Sequence, residues 1–136
     1  MADTTELVIT LPGKKRVDAA FGGIVVKTDQ PVANGGDGDG PTPFQLFLSS
    51  LGTCAGIYVA GFCQKRDVPT DGIRIVQRNA FDAATGVLSS VDFEIVVPKD
   101  FPEKYYEALV RVVDQCAVKR AIQAQPKFSV KTVPTT

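Results

Sequence analysis

The chain has 136 residues, a length that suits one domain with a single hydrophobic core. Its 15 basic and 15 acidic residues cancel, so no overall charge favours binding to a polyanion. Because the sequence contains no histidine, it excludes Ser-His-Asp triads, Cys-His dyads, histidine-ligated metals and imidazole general bases.

Three segments near the N-terminus alternate apolar and polar residues, at 6–11, 14–22 and 22–29. Pro12-Gly13 and Gly22-Gly23, which separate them, are typical of tight turns. A period of two predicts β-strands, so we expect three antiparallel strands. The cations of 14–16 are interpreted as a solvated strand edge, and no nucleic acid partner is expected.

A loop rich in glycine and aspartate follows at 30–41 (QPVANGGDGDGP). It lacks the Gly-Lys-Ser/Thr of a phosphate-binding loop and the later ligands of a calcium-binding loop. We therefore predict a mobile connector that holds no metal, because the loop has almost no hydrophobic content to anchor it.

The next segment predicts a long helix that has Thr42 as its N-cap and runs to Lys65-Arg66, before Pro69. Thr42 and Gln45 have the spacing of a capping box, and Pro43 suits the first helical position. The helix is apolar on nearly every side, which indicates burial all round. One small chain covers only part of such a helix, so the pattern favours a homodimer.

The uncharged run 41–64 is also long enough to cross a bilayer, which takes about 20 residues. Its polar side chains and glycines argue against this alternative, and the amphipathic strands around it need an apolar element to cover them. We therefore expect a buried core helix and no membrane partner.

Two alternating segments, 72–81 and 87–97, are joined by the turn sequence DAATG and predict a β-hairpin. A second helix is expected to start around Asp100–Glu103, with Leu109 and Cys116 on its inward face. The sequence leaves open whether this helix continues past Asp114 or breaks so that Cys116 begins a new one. The segment KFSVKTV (127–133) predicts a final strand.

The three cysteines form no Cys-x-x-Cys motif, and their odd number suits a reducing compartment. The N-terminus lacks the basic start of a signal peptide, which also favours a cytoplasmic protein. Cys54 and Cys63 fall on different faces of the long helix and cannot pair with each other. Cys63 lies near a stripe of small residues and is interpreted as a packing residue.

The run GPTPFQLFLSSLGTCAG, followed about sixty residues later by the cysteine of DQCAVKRAI, resembles the OsmC/Ohr family of osmotically inducible and organic hydroperoxide resistance proteins. The resemblance covers nearly the whole chain as a single domain, 1–136. It implies an α+β fold, built as an intertwined homodimer with antiparallel sheets around two central cysteine-bearing helices.

The resemblance also implies a thiol peroxidase that needs no cofactor. Cys54 would attack an organic hydroperoxide and become a sulfenic acid, and Cys116 would resolve it to a disulfide. A dithiol or lipoyl-type reductant would then reopen that disulfide. Residues that share the helical sector of Cys54 describe an apolar pocket, and the candidate substrate contacts are Phe44, Phe47, Leu51 and Tyr58.

Two positions depart from the family pattern. The peroxidases carry a glutamate ten residues before the reactive cysteine, where this chain has Phe44. They also use an N-terminal arginine, held by that glutamate, to keep the thiolate ionised. Arg16 is the first candidate for this cation and Arg111 the second.

The sequence leaves two alternative functions open. The first is a dimer of the same fold that binds an apolar small molecule without catalysis, which the replacement of glutamate by Phe44 favours. The second is a thiol-disulfide exchange protein.

Overall fold

The computed structural model describes residues 4–135. This part of the chain contains five strands and three α-helices, which confirms the predicted α+β class. Their order is β1 (Val8–Gly13), β2 (Arg16–Phe21), β3 (Ile24–Thr28), α1 (Pro43–Lys65), β4 (Arg74–Phe81), β5 (Leu88–Val96), α2 (Tyr106–Asp114) and α3 (Ala117–Gln123). Short 3₁₀ turns lie at Val32–Asn34 and Glu103–Tyr105.

The described residues form two compact units that divide between Ser49 and Ser50, within α1. The first unit ends with the opening turns of α1, and the second holds the rest of that helix and all later elements. The single domain expected from the sequence, 1–136, stays a prediction.

The first unit contains the antiparallel sheet β1-β2-β3, as the alternation predicts. Strands β2 and β3 pair from Val17 opposite Thr28 to Phe21 opposite Ile24. Gly22 and Gly23 form the two-residue turn with φ of 53° and 79°. Positive φ at both central positions is what a tight hairpin turn requires, and glycine adopts it without strain.

The loop at 30–41 is anchored by Asp29, whose side chain is only 2% exposed. Its carboxylate accepts hydrogen bonds from the backbone N–H groups of Gln30 (2.7 Å), Asp37 (3.2 Å) and Asp39 (3.1 Å). A Cβ at Gly36 would collide with the carbonyl oxygen of Gln30, so this close approach needs glycine. The prediction of a loop without an anchor is wrong because the anchor is a polar side chain just before the loop.

The hydrogen bonds that Asp29 accepts from the backbone N–H groups of Asp39 and Gln30 hold the pKa of its carboxyl below the usual value. The carboxylates of Asp29, Asp37 and Asp39 come within 4.8 Å of one another. Lys14 Nζ lies 2.9 Å from Asp37, and the Arg16 guanidinium pairs with Asp37 at 3.0 Å and also with Asp39. Cations and amides already satisfy these carboxylates, so the cluster is an ion-pair network.

Helix α1 begins with the predicted capping box. The Thr42 N–H donates to Gln45 Oε1 (2.9 Å), and the Gln45 N–H donates to Thr42 Oγ1 (3.2 Å). Pro43 is the first helical residue and Lys65 the last, which confirms both predicted ends. The chain leaves the helix through Asp67 at φ 54°, where the Val68 N–H donates to the Cys63 carbonyl (3.0 Å).

Helix α1 is also long and apolar enough to cross a membrane by length and composition, and 28% of its apolar window is buried. Five of its side chains are buried, all of them in the second unit: Leu51, Ala55, Val59, Phe62 and Cys63. Ile57, between them in sequence, is 71% exposed. Within this single chain the helix therefore has a covered side and an uncovered side, whereas the sequence predicts burial all round.

The hydrophobic core of the second unit lies where α1, the β4-β5 hairpin and α2 meet. Its buried members are Ala55, Val59, Phe62, Cys63, Phe101, Leu109 and Val113. Strands β4 and β5 pair antiparallel from Arg74 opposite Val96 to Phe81 opposite Leu88, as predicted. The Phe62 and Tyr105 rings meet edge to face at 5.3 Å, which connects α1 to the start of α2.

The prediction of a final strand at 127–133 is wrong for this chain, since no strand is present there. Phe128 is 90% exposed and Val130 97% exposed. Alternating residues form a strand only where a neighbouring strand accepts their backbone hydrogen bonds. The pattern is therefore strand-like, but the segment pairs with no strand of the described chain.

Candidate active site

Cys116 lies at a break between two helices, one of the two alternatives that the sequence leaves open. Helix α2 ends at Asp114, and the Cys116 N–H donates to the carbonyl of Val113 (3.1 Å). Cys116 then has extended geometry, with φ −50° and ψ 128°, and is the N-cap of α3. Its side chain is buried. The N–H groups of the first turn of α3 are consequently left without partners inside that helix.

The break brings Cys116 to Cys54, which lies at the middle of α1 and is partly exposed. The Cys116 thiol and the backbone N–H groups of Val118 and Ala117 favour the ionised form of Cys54 and so lower the pKa of its thiol. All three groups belong to the N-cap and first turn of α3.

The pKa of the Cys54 thiol is consequently below its usual value. The Cys116 thiol contributes most, the Val118 amide follows, and the positive charge of Arg120 acts in the same direction against the effect of burial. Groups that lower the pKa of a thiol stabilise the thiolate, which is the nucleophilic form.

Cys63 has the opposite environment. It is fully buried in the core of the second unit, which fits the packing role expected from the sequence. Burial raises the pKa of its thiol, and the nearby charge of Arg66 offsets this only in part. The same helix therefore carries one thiol that favours ionisation and one that resists it.

The candidate cations lie in different places. Arg16, in β2, pairs with Asp37 and Asp39 of the first unit. Arg111, in the last turn of α2, is exposed. A positive charge that does lower the pKa of Cys54 is that of Arg120 in α3, which is not among the cations predicted from the sequence. The sequence feature that points to Arg120 is its position four residues after Cys116, because a residue four positions after an N-cap lies one helical turn further along the helix.

The predicted substrate contacts all lie on α1. Phe44 and Phe47, in the first turns, place their ring centroids 5.5 Å apart, and Phe44 is exposed. Leu51 is buried and Tyr58 is partly exposed. Leu51 comes one turn before Cys54 and Tyr58 one turn after it, so the helix flanks the thiol with apolar side chains.

Comparison with known proteins identifies the family of this arrangement. The family model described as OsmC-like protein matches residues 36–131. This range includes α1, both strands of the second unit, Cys54 and Cys116. No curated protein matches the sequence significantly.

Solved structures share the fold at low sequence identity. An OsmC-like protein from Mycoplasma pneumoniae superposes with a TM-score of 0.71 at 12% identity, covering 92% of this chain and 91% of that one. A protein from Psychrobacter arcticus, named for osmotic stress induction and detoxification, has a TM-score of 0.75 at 20% identity, covering 89% and 90%.

A third structure is the organic hydroperoxide resistance protein OsmC from Legionella pneumophila. Its TM-score is 0.56 at 16% identity, and the match covers 90% of this chain and 91% of that one. At such identities the similarity establishes a shared fold.

Proposed function

Since the chain belongs to the OsmC-like protein family, we propose that it reduces organic hydroperoxides through Cys54 and Cys116. The observation that carries this proposal is the helix break that makes the buried Cys116 the N-cap of α3. The lowered pKa of the Cys54 thiol, to which Cys116 and the first amides of α3 contribute, supports it. A name given to the Legionella pneumophila neighbour, organic hydroperoxide resistance protein, supports the same chemistry.

In the first step the Cys54 thiolate attacks the distal oxygen of the hydroperoxide. An S–O bond forms, the O–O bond breaks, and the alkoxide takes up a proton and leaves as an alcohol. Cys54 is oxidised to a sulfenic acid. The amides of Ala117 and Val118 support this step because they stabilise the anion before attack.

In the second step the Cys116 sulfur attacks the sulfenic sulfur of Cys54. A disulfide forms, and the hydroxyl leaves as water with the proton of the Cys116 thiol. The effect of the Cys116 thiol on the pKa of Cys54 supports this step, since it requires the two thiols to be neighbours. A dithiol or lipoyl-type partner then reduces the disulfide by thiol exchange.

The proposal includes a homodimer, and the exposed apolar surface supports it. Ile57 on α1 and the C-terminal Phe128 and Val130 are all strongly exposed, as are several side chains of β1 and β3. Large uncovered apolar surfaces favour association with another chain. Sedimentation at micromolar concentration tests this part, and a mass of one chain throughout would contradict it.

Intact-mass analysis with peptide mapping tests the redox chemistry. Reduced protein treated with stoichiometric cumene hydroperoxide is expected to lose two hydrogens rapidly and to yield a peptide crosslinked between Cys54 and Cys116. Cys63 is expected to remain a free thiol, because it is buried and its pKa is raised. Unchanged thiols at all three positions would contradict the proposal.

The aromatic start of α1 favours a second candidate, a dimer that binds an apolar small molecule without turnover. Phe44 replaces a glutamate expected of the peroxidases, and its ring contacts Phe47. That function predicts no mass change with hydroperoxide. A thiol-disulfide exchange protein would form the same crosslink with an oxidised dithiol, but hydroperoxide would not accelerate it.

A further inference from the structure

Two loops of the second unit, one after α1 and one after β5, enclose a cavity of about 440 Å³. Small organic ligands occupy cavities of this size. The most buried of its lining residues is Phe101, which is 5% exposed, and the half-buried Val68, Pro98 and Pro102 extend the apolar surface. No cysteine lines the cavity, so it is separate from the thiol site.

The two loops are fixed against each other before any ligand binds. A Cβ at Gly72 would lie 3.3 Å from Pro98 Cγ, so the loops are in close contact at this point. The Phe101 N–H donates to the Pro98 carbonyl (3.0 Å), and Phe101 itself belongs to the hydrophobic core. The rings of Pro69, Pro98 and Pro102 restrict the backbone further. A cavity that is already formed loses little conformational freedom when it binds a ligand.

The exposed rim of the cavity carries three carboxylates, those of Asp67, Asp71 and Asp100. Within residues 4–135, none of them forms an ion pair with a lysine or an arginine. The acidic cluster of the first unit, in contrast, is neutralised by Lys14 and Arg16. Unpaired charges of one sign around an apolar cavity create a potential that attracts the opposite charge. The rim therefore favours a cation.

The basic side chains that are close to the cavity in sequence do not neutralise its rim. The Arg66 Cζ atom lies 3.7 Å from the centroid of the Phe62 ring, and the guanidinium donates to the Phe62 carbonyl at 3.1 Å. Lys104 Nζ lies 5.1 Å from the centroid of the Tyr105 ring. Lys99 is exposed and does not line the cavity. The positive charge that complements the rim is therefore expected from a ligand.

We propose that this cavity binds a small organic cation, a protonated amine that carries an aromatic or aliphatic group. The apolar group contacts Phe101 and the proline side chains, and the ammonium group reaches the rim carboxylates. Burial of the apolar group provides free energy that a hydrated metal ion does not gain there, and the rim repels an organic anion. This binding site goes beyond hydroperoxide reduction and does not depend on it, since no cysteine lines the cavity.

Nuclear magnetic resonance titration of the reduced protein tests the proposal, with phenethylamine as the probe. The backbone amides of 66–73 and 98–102 are expected to shift along one saturation curve. Phenethyl alcohol, the neutral analogue, should bind about 3- to 10-fold more weakly, because the rim does not attract it. Phenylacetate, an anion with the same ring, should not bind measurably. Added sodium chloride should weaken the binding of the amine and leave that of the alcohol unchanged.

Two variants test the rim directly. Asp71→Asn and Asp100→Asn should each raise the dissociation constant of phenethylamine by about 2- to 5-fold and leave that of phenethyl alcohol within about twofold. Both aspartates are exposed, so the spectrum of a folded protein should be retained. Asp92→Asn is the matched control, because it removes an exposed carboxylate that does not line the cavity.

Equal affinity for phenethylamine and phenethyl alcohol would overturn the proposal. Shifts confined to amides outside the two loops would do the same, as would the absence of any shift at millimolar phenethylamine. An equal loss of affinity in Asp92→Asn and in the rim variants would also contradict it, because the attraction would then come from the overall charge of the protein.

Discussion

Replacing Cys54 by serine is expected to reduce hydroperoxide consumption by at least about a thousandfold. The hydroxyl of serine does not ionise near neutral pH, and amide donors of the strength found at α3 do not compensate for that. Peroxide consumption with dithiothreitol as reductant measures the loss. No histidine is present in the sequence to activate the hydroxyl as a general base.

Two further variants separate the roles of the thiols. Cys116→Ser should still react once with hydroperoxide, and the product should be a sulfenic acid on Cys54 that dimedone traps. Cys63→Ala removes the core thiol and should leave peroxide consumption within about twofold of wild type. Turnover that persists in Cys54→Ser, or that is lost only in Cys63→Ala, would contradict the assignment of the reactive thiol.

Truncating Leu109 to alanine is expected to lower the free energy of unfolding by about 2–5 kcal/mol. Leu109 is 2% exposed and lies in the core of the second unit between α1, the β4-β5 hairpin and α2. Removing its side chain loses apolar contacts and leaves a cavity that the surrounding residues fill only in part. Urea unfolding followed by circular dichroism measures the change in midpoint.

Val110→Ala is the matched control for this prediction. Val110 follows Leu109 on α2 but is 57% exposed, so its truncation should change the free energy of unfolding by less than about 0.5 kcal/mol in a single chain. Equal losses for the two variants would show that α2 does not pack through the Leu109 face. A loss confined to Val110→Ala would indicate that this face is covered by another chain.

Most of the regular elements follow from local sequence patterns. The alternating segments become β1 to β5, and the capping box of Thr42 and Gln45 forms as predicted. Segment 127–133 is the exception, because alternation indicates which residues suit a strand and does not indicate whether a neighbouring strand is present. The sequence pattern also does not indicate the anchor at Asp29. A buried carboxylate that accepts hydrogen bonds from three backbone N–H groups does not appear as a hydrophobic residue in the sequence.

The sequence by itself determines the α+β class and both ends of α1, because these depend on periodicity and capping. Cys54 and Cys116 are predicted as the thiols of interest from the family resemblance. Only the tertiary structure decides that the chain breaks before Cys116, so that this thiol is the N-cap of α3 and the first amides of α3 lower the pKa of Cys54. The physical reason is that the backbone N–H and C=O groups near Asp114 find hydrogen-bond partners whether the helix continues or a new helix begins. The buried position of the Cys116 side chain, which only tertiary packing supplies, accompanies the restart.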